Sequence, residues 1–474
     1  MKKYRLSIIS CILIIGFAAV SCSKSLDRSD EIDQEKEYNV SIPAQKVSTK
    51  VVADGGKASF STSEKVWVYN ESTGKIDKNS LSPAENAATT TLQGELYGTY
   101  AVNDQLKLLY NSGRQSSIVN YTYQNGMIHG VTDAGVAFVS IKEVDGATIK
   151  TTDALFTNLQ SIFKLKFVDG STTLKVKSVS ITSVDNKLQQ SYDIVNDNVS
   201  YGSITVSNNT AMTEVFVALR FTPNPSDIII FNVIDENGKV YTGTKTAPAS
   251  GFTLGKFYSS TISVTSHLFS ISSSESVYFS PGNFDWINYS FAIPQYLYSN
   301  TDDCNTYLDG DYVIPNFNNP DNTTLVNCIS GWLVLSKPEW EYLLFERTID
   351  GGSVSPYYII TTDSNSGGTL GMLLPPDDAK SEDVSSLSGA GLNNVDLTLF
   401  SVKGYVFLPA AGMVEDNEGE MLLGESGLYW TRTEEPASIY DTDYYYMEFD
   451  QLWADVLNST YPLGIKITTR LVHK

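Results

Sequence analysis

The residues able to do chemistry are few and scattered along the chain. Three histidines, His129, His267 and His473, lie in three separate regions. No His-Glu-x-x-His, Gly-x-Ser-x-Gly or paired Cys-x-x-Cys motif occurs. The segment Gly251–Lys256 is one residue too short for a phosphate-binding loop and is interpreted as a turn that leads into a strand. We therefore predict a protein that is not an enzyme, with no catalytic residue, metal site or cofactor.

The amino terminus predicts where the chain resides. Basic residues at positions 2, 3 and 5 precede the apolar stretch Ile8–Val20, which is the pattern of a secretory signal peptide over residues 1–21. That stretch is shorter than the ~20 apolar residues that a membrane-spanning helix needs. The segment Ala18–Cys22 resembles a bacterial lipobox, which implies that Cys22 is diacylated and begins the mature chain. An ordinary cleaved signal with an incidental cysteine is the alternative.

Residues 22–37 are predicted to form a lipidated, disordered tether. They are almost wholly polar and dense in charge, so they can bury too little apolar surface to fold. Each buried CH₂ of the acyl chains contributes ~0.8 kcal/mol, so Cys22 is predicted to hold the protein to outer-membrane lipid. Acidic residues after the cysteine resemble, loosely, a surface-export signal, which favours surface exposure: Asp27, Asp30, Glu31 and Asp33.

The charge balance argues against a nucleic-acid partner. The chain has 54 acidic and 33 basic residues, and three of the basic ones would leave with the signal peptide. A nucleic-acid-binding protein normally carries a basic patch, and no run of Lys or Arg occurs here. An acidic surface mainly confers solubility.

The remaining cysteines, Cys304 and Cys328, are predicted to form a disulfide, because an oxidising compartment outside the cytoplasm permits one. The bridge would close a loop of about 25 residues and contribute ~3 kcal/mol. Two separate buried thiols are the alternative. Asp309-Gly310-Asp311 within this loop is the best calcium candidate among the carboxylates, but a solvated acidic loop is the preferred interpretation.

The rest of the chain predicts strands joined by turns. The sequence contains 28 Tyr and 20 Phe along with abundant Thr, Ser and Val, which favour strands over helices. Lys65–Tyr69 is apolar on both parities, as in a strand covered on both faces, and Gln105–Tyr110 is a second strand. Residues 38–152 are therefore predicted to form a first β-domain.

Residues 153–268 are predicted to form a second β-domain. Phe163–Phe167 alternates apolar and basic residues, as in a half-buried strand. Val176 and Val179 lie on opposite parities, so we expect a bulge near Lys177-Ser178. The dipeptide Asn237-Gly238 predicts a hairpin between two apolar runs.

Residues 269–474 differ from the preceding region because they carry the only clear helix. Ser336 and Glu339 are spaced as a capping box, and an apolar stripe follows at Trp340, Leu343 and Leu344. Ile465–Val472 alternates and is expected to form one strand, with Arg470 on its polar face.

Two segments of the second region carry a family resemblance. FTNLQSIFKLKF (156–167) and FTLGKFYSSTISV (252–264) resemble the second domain of fimbrillin-family lipoproteins of Bacteroides-type bacteria. The resemblance covers about residues 40–265. It implies two tandem transthyretin-like β-sandwiches that polymerise into surface fimbriae or act as accessory subunits of the fimbrium, also called a pilus. It further implies removal of a leader within Tyr38–Val52, with Lys46 or Lys50 as candidate cut points, followed by strand exchange with another fimbrial subunit.

The last region has a second resemblance, over about residues 275–474. GWLVLSKPEWEYLL (331–344), GLYWTRT (427–433) and GIKITTRLV (464–472) resemble the Fibrobacter major paralogous domain, which is itself similar to the C-type-lectin-like fold of formylglycine-generating enzymes. Those enzymes need two cysteines after the Glu-Trp-Glu-Tyr helix. Here Cys304 and Cys328 precede that helix, so the resemblance implies an α+β C-type-lectin-like fold without the activity.

Aromatic residues late in the chain could stack on sugars, but alternation places about half of such residues in a core. We therefore interpret Trp430 and Tyr445 as packing residues and assign no ligand-binding residue.

The combined expectation is a mainly β, lipid-anchored surface protein that acts in cell adhesion, as a fimbrial tip or accessory subunit. The alternative is a non-polymerising lipoprotein that binds host or bacterial surface glycans or proteins.

Overall fold

The computed structural model describes residues 36–46, 59–111, 114–128, 132–184, 188–221, 227–285, 290–291, 331–363, 368–387, 392–415, 419–434, 444–458 and 465–474. The described chain is mainly β, as the composition predicts. Among these residues, none of the helices combines the length and the apolar character needed to cross a membrane. The predicted signal peptide, Cys22, Cys304, Cys328 and the Asp309–Asp311 loop lie outside the described residues.

The first ten strands lie before residue 159. They are β1 Lys36–Lys46, β2 Val66–Asn70, β3 Lys75–Pro83, β4 Thr89–Gly98, β5 Gln105–Asn111, β6 Ile118–Asn120, β7 Tyr123–Gln124, β8 Ala134–Asp145, β9 Thr148–Thr151 and β10 Ala154–Asn158. Eight of them form one sheet in the order β10-β1-β4-β3-β2-β5-β8-β9. Because β10 also pairs with β8, and β1 with β9, the sheet closes on itself around one apolar core. We call this sheet the first barrel.

The strand predicted around Val66 is confirmed, including the burial of both of its faces. Val66 and Val68 of β2 lie in the core of the first barrel. Trp67 and Tyr69 point the other way and pack against a second core, which is built mostly from residues after 158. β2 therefore joins the two cores, and this explains why its sequence is apolar at both parities.

The second group of strands forms the second core. They are β11 Ser161–Asp169, β12 Thr172–Thr173, β13 Val176–Ser183, β14 Gln189–Asp193, β15 Asn198–Tyr201, β16 Ile204–Met212, β17 Val215–Leu219, β18 Ile228–Asp235, β19 Val240–Thr246 and β20 Phe257–Thr265. A nine-stranded sheet has the path β12-β11-β20-β19-β18-β13-β16-β7, with β17 paired to β11. A smaller sheet has the order β15-β14-β6. We call these sheets together the second unit.

Three local predictions for the second unit are confirmed. Phe163, Leu165 and Phe167 of β11 are buried while Lys166 is exposed. The register of β13 shifts between Val176 and Ser178 against both of its neighbours, which is the expected bulge. β18 and β19 form the predicted hairpin, and Gly238 adopts the left-handed conformation that its turn requires, at φ 83°.

The third group contains short strands and the helices. The strands are β21 Phe269–Ser270, β22 Ser276–Phe279, β23 Phe284–Asp285, β24 Ser290–Phe291, β25 Trp332–Val334, β26 Tyr358–Thr362, β27 Leu370–Leu374, β28 Asn393–Val395, β29 Val406–Pro409, β30 Met413–Glu415, β31 Gly419–Met421, β32 Gly427–Glu434, β33 Tyr444–Phe449, β34 Ala454–Asn458, β35 Ile465–Ile467 and β36 Leu471–His473. The helices are α1 Lys337–Glu341, continued by a π-helical turn Tyr342–Glu346, a 3₁₀ turn Asp350–Gly352, and α2 Leu397–Ser401.

The predicted helix and its amino-terminal cap are confirmed. The Ser336 backbone N–H donates to the Glu339 carboxylate at 2.7 Å, and the reciprocal half of the capping box is present as well. Trp340, Leu343 and Leu344 are all buried in the core of the third region. The apolar stripe therefore docks α1 on this core.

The prediction of one strand over Ile465–Val472 is wrong. β35 pairs with β30, whereas β36 lies between β22 and β25 in a different sheet. The residues between these two strands, Thr468 to Arg470, are all buried regardless of parity. Arg470, expected on the polar face, donates from Nη1 to Asn283 Oδ1 at 3.3 Å. The alternation of apolar and polar residues does not predict burial here, because the chain passes from one sheet to another and is covered on both sides.

The division into domains at residues 152 and 268 and the transthyretin-like and lectin-like topologies remain predictions. The structure adds two features near the first boundary. β10 completes the first barrel, and β6 and β7, which precede the boundary, pair with strands of the second unit. β1 begins at Lys36, two residues inside the range assigned to the tether.

Candidate functional site

The first strand occupies a slot in the barrel rather than an edge. β1 pairs antiparallel with β4 from Lys36 to Gln45. Its other side pairs parallel with β9 at Asn39–Val40 and with β10 at Ala44–Lys46. The backbone of β1 is therefore hydrogen-bonded on both sides, and loss of β1 would leave a gap with two unpaired strand edges.

The side chains of β1 alternate strictly between core and solvent. Tyr38, Val40, Ile42 and Ala44 are buried in the barrel core, and the residues between them are exposed. Tyr38 packs edge-on against Tyr100, with ring centroids 5.7 Å apart. The slot therefore has a row of four apolar positions, which accommodate every second side chain of the strand.

The fifth inward residue of β1 is Lys46, whose ammonium group lies in an enclosed cage. Lys46 is 7% exposed, and its Nζ lies 3.0 Å from Glu64 Oε2. The same nitrogen lies 4.8 Å and 4.3 Å from the ring centroids of Phe60 and Tyr110. The Tyr110 hydroxyl donates to Glu64 Oε1 at 3.3 Å. A carboxylate and two aromatic faces therefore compensate the buried charge.

The cage affects whether a protease can cut at Lys46, one of the two candidate cut points. Lys46 is buried and paired, so a protease that recognises lysine cannot reach its side chain while β1 is seated. Lys50, the other candidate, lies outside the described residues. Sequence reasoning missed the cage because Glu64, Phe60 and Tyr110 are far from Lys46 along the chain, and no local pattern connects them.

Most aromatic residues of the late sheet contribute to packing, as predicted. Tyr429 and Tyr446 are buried, and Trp430 is half-buried against a small apolar cluster. Tyr445 is also half-buried, and Lys337 Nζ lies 4.1 Å from its ring centroid. The sheet β32-β33-β34 therefore uses its aromatic residues mainly to hold α1 and the core together.

One apolar pair of this sheet is displayed to solvent. Leu452 is 90% exposed and Trp453 is 39% exposed at the turn between β33 and β34. Asp450 Oδ1 accepts hydrogen bonds from the backbone N–H groups of Leu452 at 2.7 Å and Trp453 at 3.0 Å. The Asp450 N–H also donates to the Trp453 carbonyl at 3.0 Å. The turn is therefore held in one conformation that presents Leu452 outward.

Glu339 at the start of α1 is the centre of a polar network. Its Oε1 accepts a hydrogen bond from Arg432 Nη2 at 2.7 Å and lies 3.4 Å from Lys474 Nζ. Burial opposes ionisation of this carboxyl, but the hydrogen bonds from Arg432 and Ser336 outweigh burial and lower the pKa of Glu339. The network ties α1 to β32.

The described histidines have structural surroundings. His267 Nδ1 lies 3.1 Å from Asp378 Oδ1. The His473 ring packs edge-on against Trp332, with centroids 5.5 Å apart, and burial lowers its pKa. His129 lies outside the described residues. Within the described part of the chain, no group of three His, Cys, Asp or Glu side chains is arranged to hold a metal ion.

No protein-family model matches this chain, and no curated protein matches it either. Among solved structures, a Bacteroides uniformis protein provisionally named a cell adhesion protein aligns with 49% of this chain and 96% of its own, at 16% identity and a TM-score of 0.32. A fimbrial protein of Bacteroides ovatus aligns over 92% of this chain and 99% of its own, at 12% identity and a TM-score of 0.24.

A tip fimbrial protein of Porphyromonas gingivalis with a C-terminal truncation aligns with 46% of this chain and 86% of its own, at 12% identity and a TM-score of 0.26. At these identities and TM-scores the alignments do not assign the chain to a family.

The cage predicts that Glu64→Gln loosens the end of β1. The substitution leaves the Lys46 charge buried without its counter-ion and should cost about 2–3 kcal/mol. Hydrogen exchange at the Lys46 amide, which donates to the Ala88 carbonyl, should then be roughly 30- to 140-fold faster. Glu143→Gln is the control, because Glu143 pairs with Lys150 on the exposed surface of the same barrel. Equal exchange rates in the two variants would contradict the inference that the cage holds the end of β1 in place.

The Glu339 network predicts a pH-dependent contribution to stability. Glu339→Gln should lower the free energy of unfolding by about 1–3 kcal/mol at neutral pH, measured by urea denaturation. Because folding lowers the pKa of Glu339, this contribution is complete above the pKa of an unfolded glutamate and is lost as the pH falls through the lower folded value.

Glu341→Gln is the matched control on the same helix. Glu341 Oε1 lies 3.7 Å from Lys337 Nζ in a partly exposed i,i+4 pair, which is worth at most about 0.5 kcal/mol. The contribution of the network would be refuted if Glu339→Gln lowered the free energy of unfolding by no more than Glu341→Gln does. It would also be refuted if Glu339→Gln lowered this free energy by the same amount in acid as at neutral pH.

Proposed function

We propose that this protein is a cell-surface lipoprotein that acts in adhesion, as a tip or accessory subunit of a fimbrium. The proposal joins the predicted lipid anchor at Cys22 and the polar tether to the β-rich chain that follows. On this proposal the protein sits on the outer membrane, exposed at the surface or carried on fimbriae. Its partners are outer-membrane lipid and other fimbrial subunits.

The placement of β1 is the observation that carries the proposal. It is the first strand after the predicted tether, and it fills a slot that is bonded on both sides. A strand from another subunit could satisfy the same two edges and the same inward positions, with main-chain hydrogen bonds providing affinity and alternate side chains providing register. Removal of β1 by a protease would make the slot available.

The third region supports assignment as a tip or accessory subunit rather than a repeating stalk subunit. It adds a separate apolar core to the two cores that precede it. A large additional region on one subunit would have to be repeated at every position of a stalk. At a tip it is needed once, and there it is free to make contacts.

Protease treatment of the mature chain tests strand exchange. A protease specific for lysine and arginine should release a peptide containing Tyr38 and yield a ladder of oligomers on electrophoresis, with amino-terminal sequencing of the product locating the cut. Excess synthetic peptide 36–46 should refill the slot and suppress the ladder. The same peptide with Ile42→Asp should not, because it would bury a charge in the barrel core. A stable monomer after release of β1 would refute polymerisation through this slot.

The exposed turn at Leu452 favours a second candidate function, a non-polymerising lipoprotein that binds surface glycans or proteins. A preorganised turn that presents an aliphatic and an aromatic side chain is suited to fill a pocket or stack on a sugar. Asp450 and Asp455 place acidic groups at this turn, and burial together with the charge of Asp450 raises the pKa of the neighbouring Glu448. A partner with basic groups around an apolar pocket would be complementary to it.

A binding assay with the full mature chain separates the two candidates. If the turn binds a ligand, a glycan array and cell-binding measurements should detect ligands without protease treatment, and Leu452→Ala with Trp453→Ala should reduce binding at least tenfold. Leu399→Ala is the control, because Leu399 is 57% exposed on α2 and forms no part of the turn. Undiminished binding by the double variant would exclude the turn.

A further inference from the structure

The turn between β18 and β19 of the second unit lies against the third region. Ile234 and Val240, which flank this turn, pack on an apolar cluster of the third region that contains Trp332. Within the turn, Lys239 Nζ lies 5.7 Å from the ring centroid of Tyr278 on β22. The turn is therefore docked on the sheet with the order β21-β22-β36-β25. We call this contact the joint.

The His473 imidazole lies within the joint, in a space that two glycines leave open. A Cβ on Gly238 of the turn would lie 2.1 Å from His473 Nε2, and a Cβ on Gly331, which precedes β25, would lie 2.5 Å from the same nitrogen. The ring also packs edge-on against Trp332. A nitrogen that can take up a proton is thus in close contact with backbone from both the second unit and the third region.

Docking of the turn favours the neutral form of His473. Burial lowers the pKa of this imidazole, and a hydrogen bond with the Lys474 backbone and the charge of Asp235 offset the effect only in part. A protonated ring needs water or an acceptor around it, and the two glycines hold backbone at that position. The charged imidazole is therefore better accommodated when the turn moves away.

The charged groups of the joint are held by other contacts. Asp235 Oδ1 accepts hydrogen bonds from the Asn237 N–H at 2.8 Å and the Lys239 N–H at 2.9 Å, so this carboxylate is committed to the turn. Lys239 Nζ lies 4.9 Å from the ring centroid of Tyr241. Other charged groups on these elements are in ion pairs: Glu236 with Lys175, and Lys474 with Glu275 and Glu339. Asp235 is thus the acidic group that attracts a proton to His473.

A second contact attaches the residues after β20 to the third region. His267 Nδ1 lies 3.1 Å from Asp378 Oδ1. The Asp377 N–H donates to the Leu268 carbonyl at 2.9 Å. His267 faces a carboxylate, unlike His473, so a proton on its ring strengthens this contact. Acid therefore leaves the chain from His267 onward attached to the third region.

We propose that the joint is a pH-sensitive switch, in which protonation of His473 releases the β18–β19 turn from the third region. β20 ends at Thr265, and His267 is already held by the third region, so movement occurs about residues 265–267. The strand pairing within each part is retained, so release changes the orientation of the third region without unfolding it. The switch depends neither on loss of β1 nor on the proposed adhesive function.

Proton binding sets the direction of the response. Because docking lowers the pKa of His473, the released state binds the proton more readily, and acid favours release. Docking is complete above the ordinary histidine value of ~6.5. Below it, the docking equilibrium constant falls by up to about tenfold per pH unit until the pKa of the docked state is reached. Most carboxylates stay ionised between about pH 5 and 7.5, so this interval isolates the histidines.

Small-angle X-ray scattering of the full mature chain at pH 7.5 and pH 5.0 tests release. The radius of gyration should rise on acidification of the unmodified chain. It should not rise in His473→Gln, whose side-chain amide reaches the Nε2 position but takes up no proton. His267→Asn is the matched control, because its amide replaces the Nδ1–H donor of the other histidine, and it should respond as the unmodified chain does. No rise in the unmodified chain, or an equal rise in His473→Gln, would overturn the proposal.

NMR titration of the histidine rings links the proton to the joint. The His473 signal, identified by its absence in His473→Gln, should titrate below ~6.5. Gly238→Ala should raise this value towards ~6.5, because the added methyl group forces the turn away from the ring. Gly251→Ala is the control, since Gly251 has a similar φ of 67° but no atom within 4 Å of an added Cβ. If Gly238→Ala fails to unfold cooperatively in urea, Gly331→Ala replaces it.

Two further outcomes would overturn the switch. The first is a His473 pKa that is at or above the ordinary histidine value in the unmodified chain, or that is equal in the two glycine variants. The second is loss of strand content at pH 5.0 by circular dichroism, because release as proposed leaves the strands of both parts in place.

Discussion

The constraint on which this structure depends is the pairing of strand edges. A strand that ends a sheet exposes unpaired N–H and C=O groups, and proteins must cover such edges to avoid uncontrolled association. Here the cover comes from distant parts of the chain. β1 is held between β4 and the pair β9 and β10. The edges of β16 and β17 are closed by a segment that belongs in sequence to the first barrel. In the third region, β36 near the end of the chain lies between β22 and β25.

These long-range pairings also join the parts of the chain into one structure. β2 packs one face into the barrel core and the other against the core of the second unit. The two segments that resemble fimbrillins illustrate the same principle. β11 and β20, which are separated by almost a hundred residues, pair as parallel strands from Ile162 with Phe257 to Val168 with Ser263. Phe163 on β11 stacks on Tyr258 of β20, with ring centroids 5.0 Å apart. The resemblance therefore concerns two strands that are neighbours in space.

Buried charges reinforce the strand pairings at chosen points. Lys46 is paired with Glu64 between two aromatic rings at the end of β1. Glu339 joins α1 to Arg432 of β32. Because a buried charge that loses its partner is costly, such pairs favour one arrangement of the strands over others of similar apolar burial. In both cases the polar contact lies at one end of the element that it holds, which links local electrostatics to the placement of a whole strand or helix.

The sequence by itself determined the mainly β character, the bulge at Val176–Ser178, the hairpin at Gly238 and the capped helix at Ser336, because each depends on neighbours within a few residues. It also supplied the signal and lipidation hypotheses, which concern residues outside the described structure. Only the tertiary structure decided the partners of β1, the cage around Lys46, the insertion of Gln124 beside Ala218 and the burial of Arg470. Each of these depends on residues far apart in the chain, and alternation along a strand specifies which side chains share a face but not which strand will lie beside them.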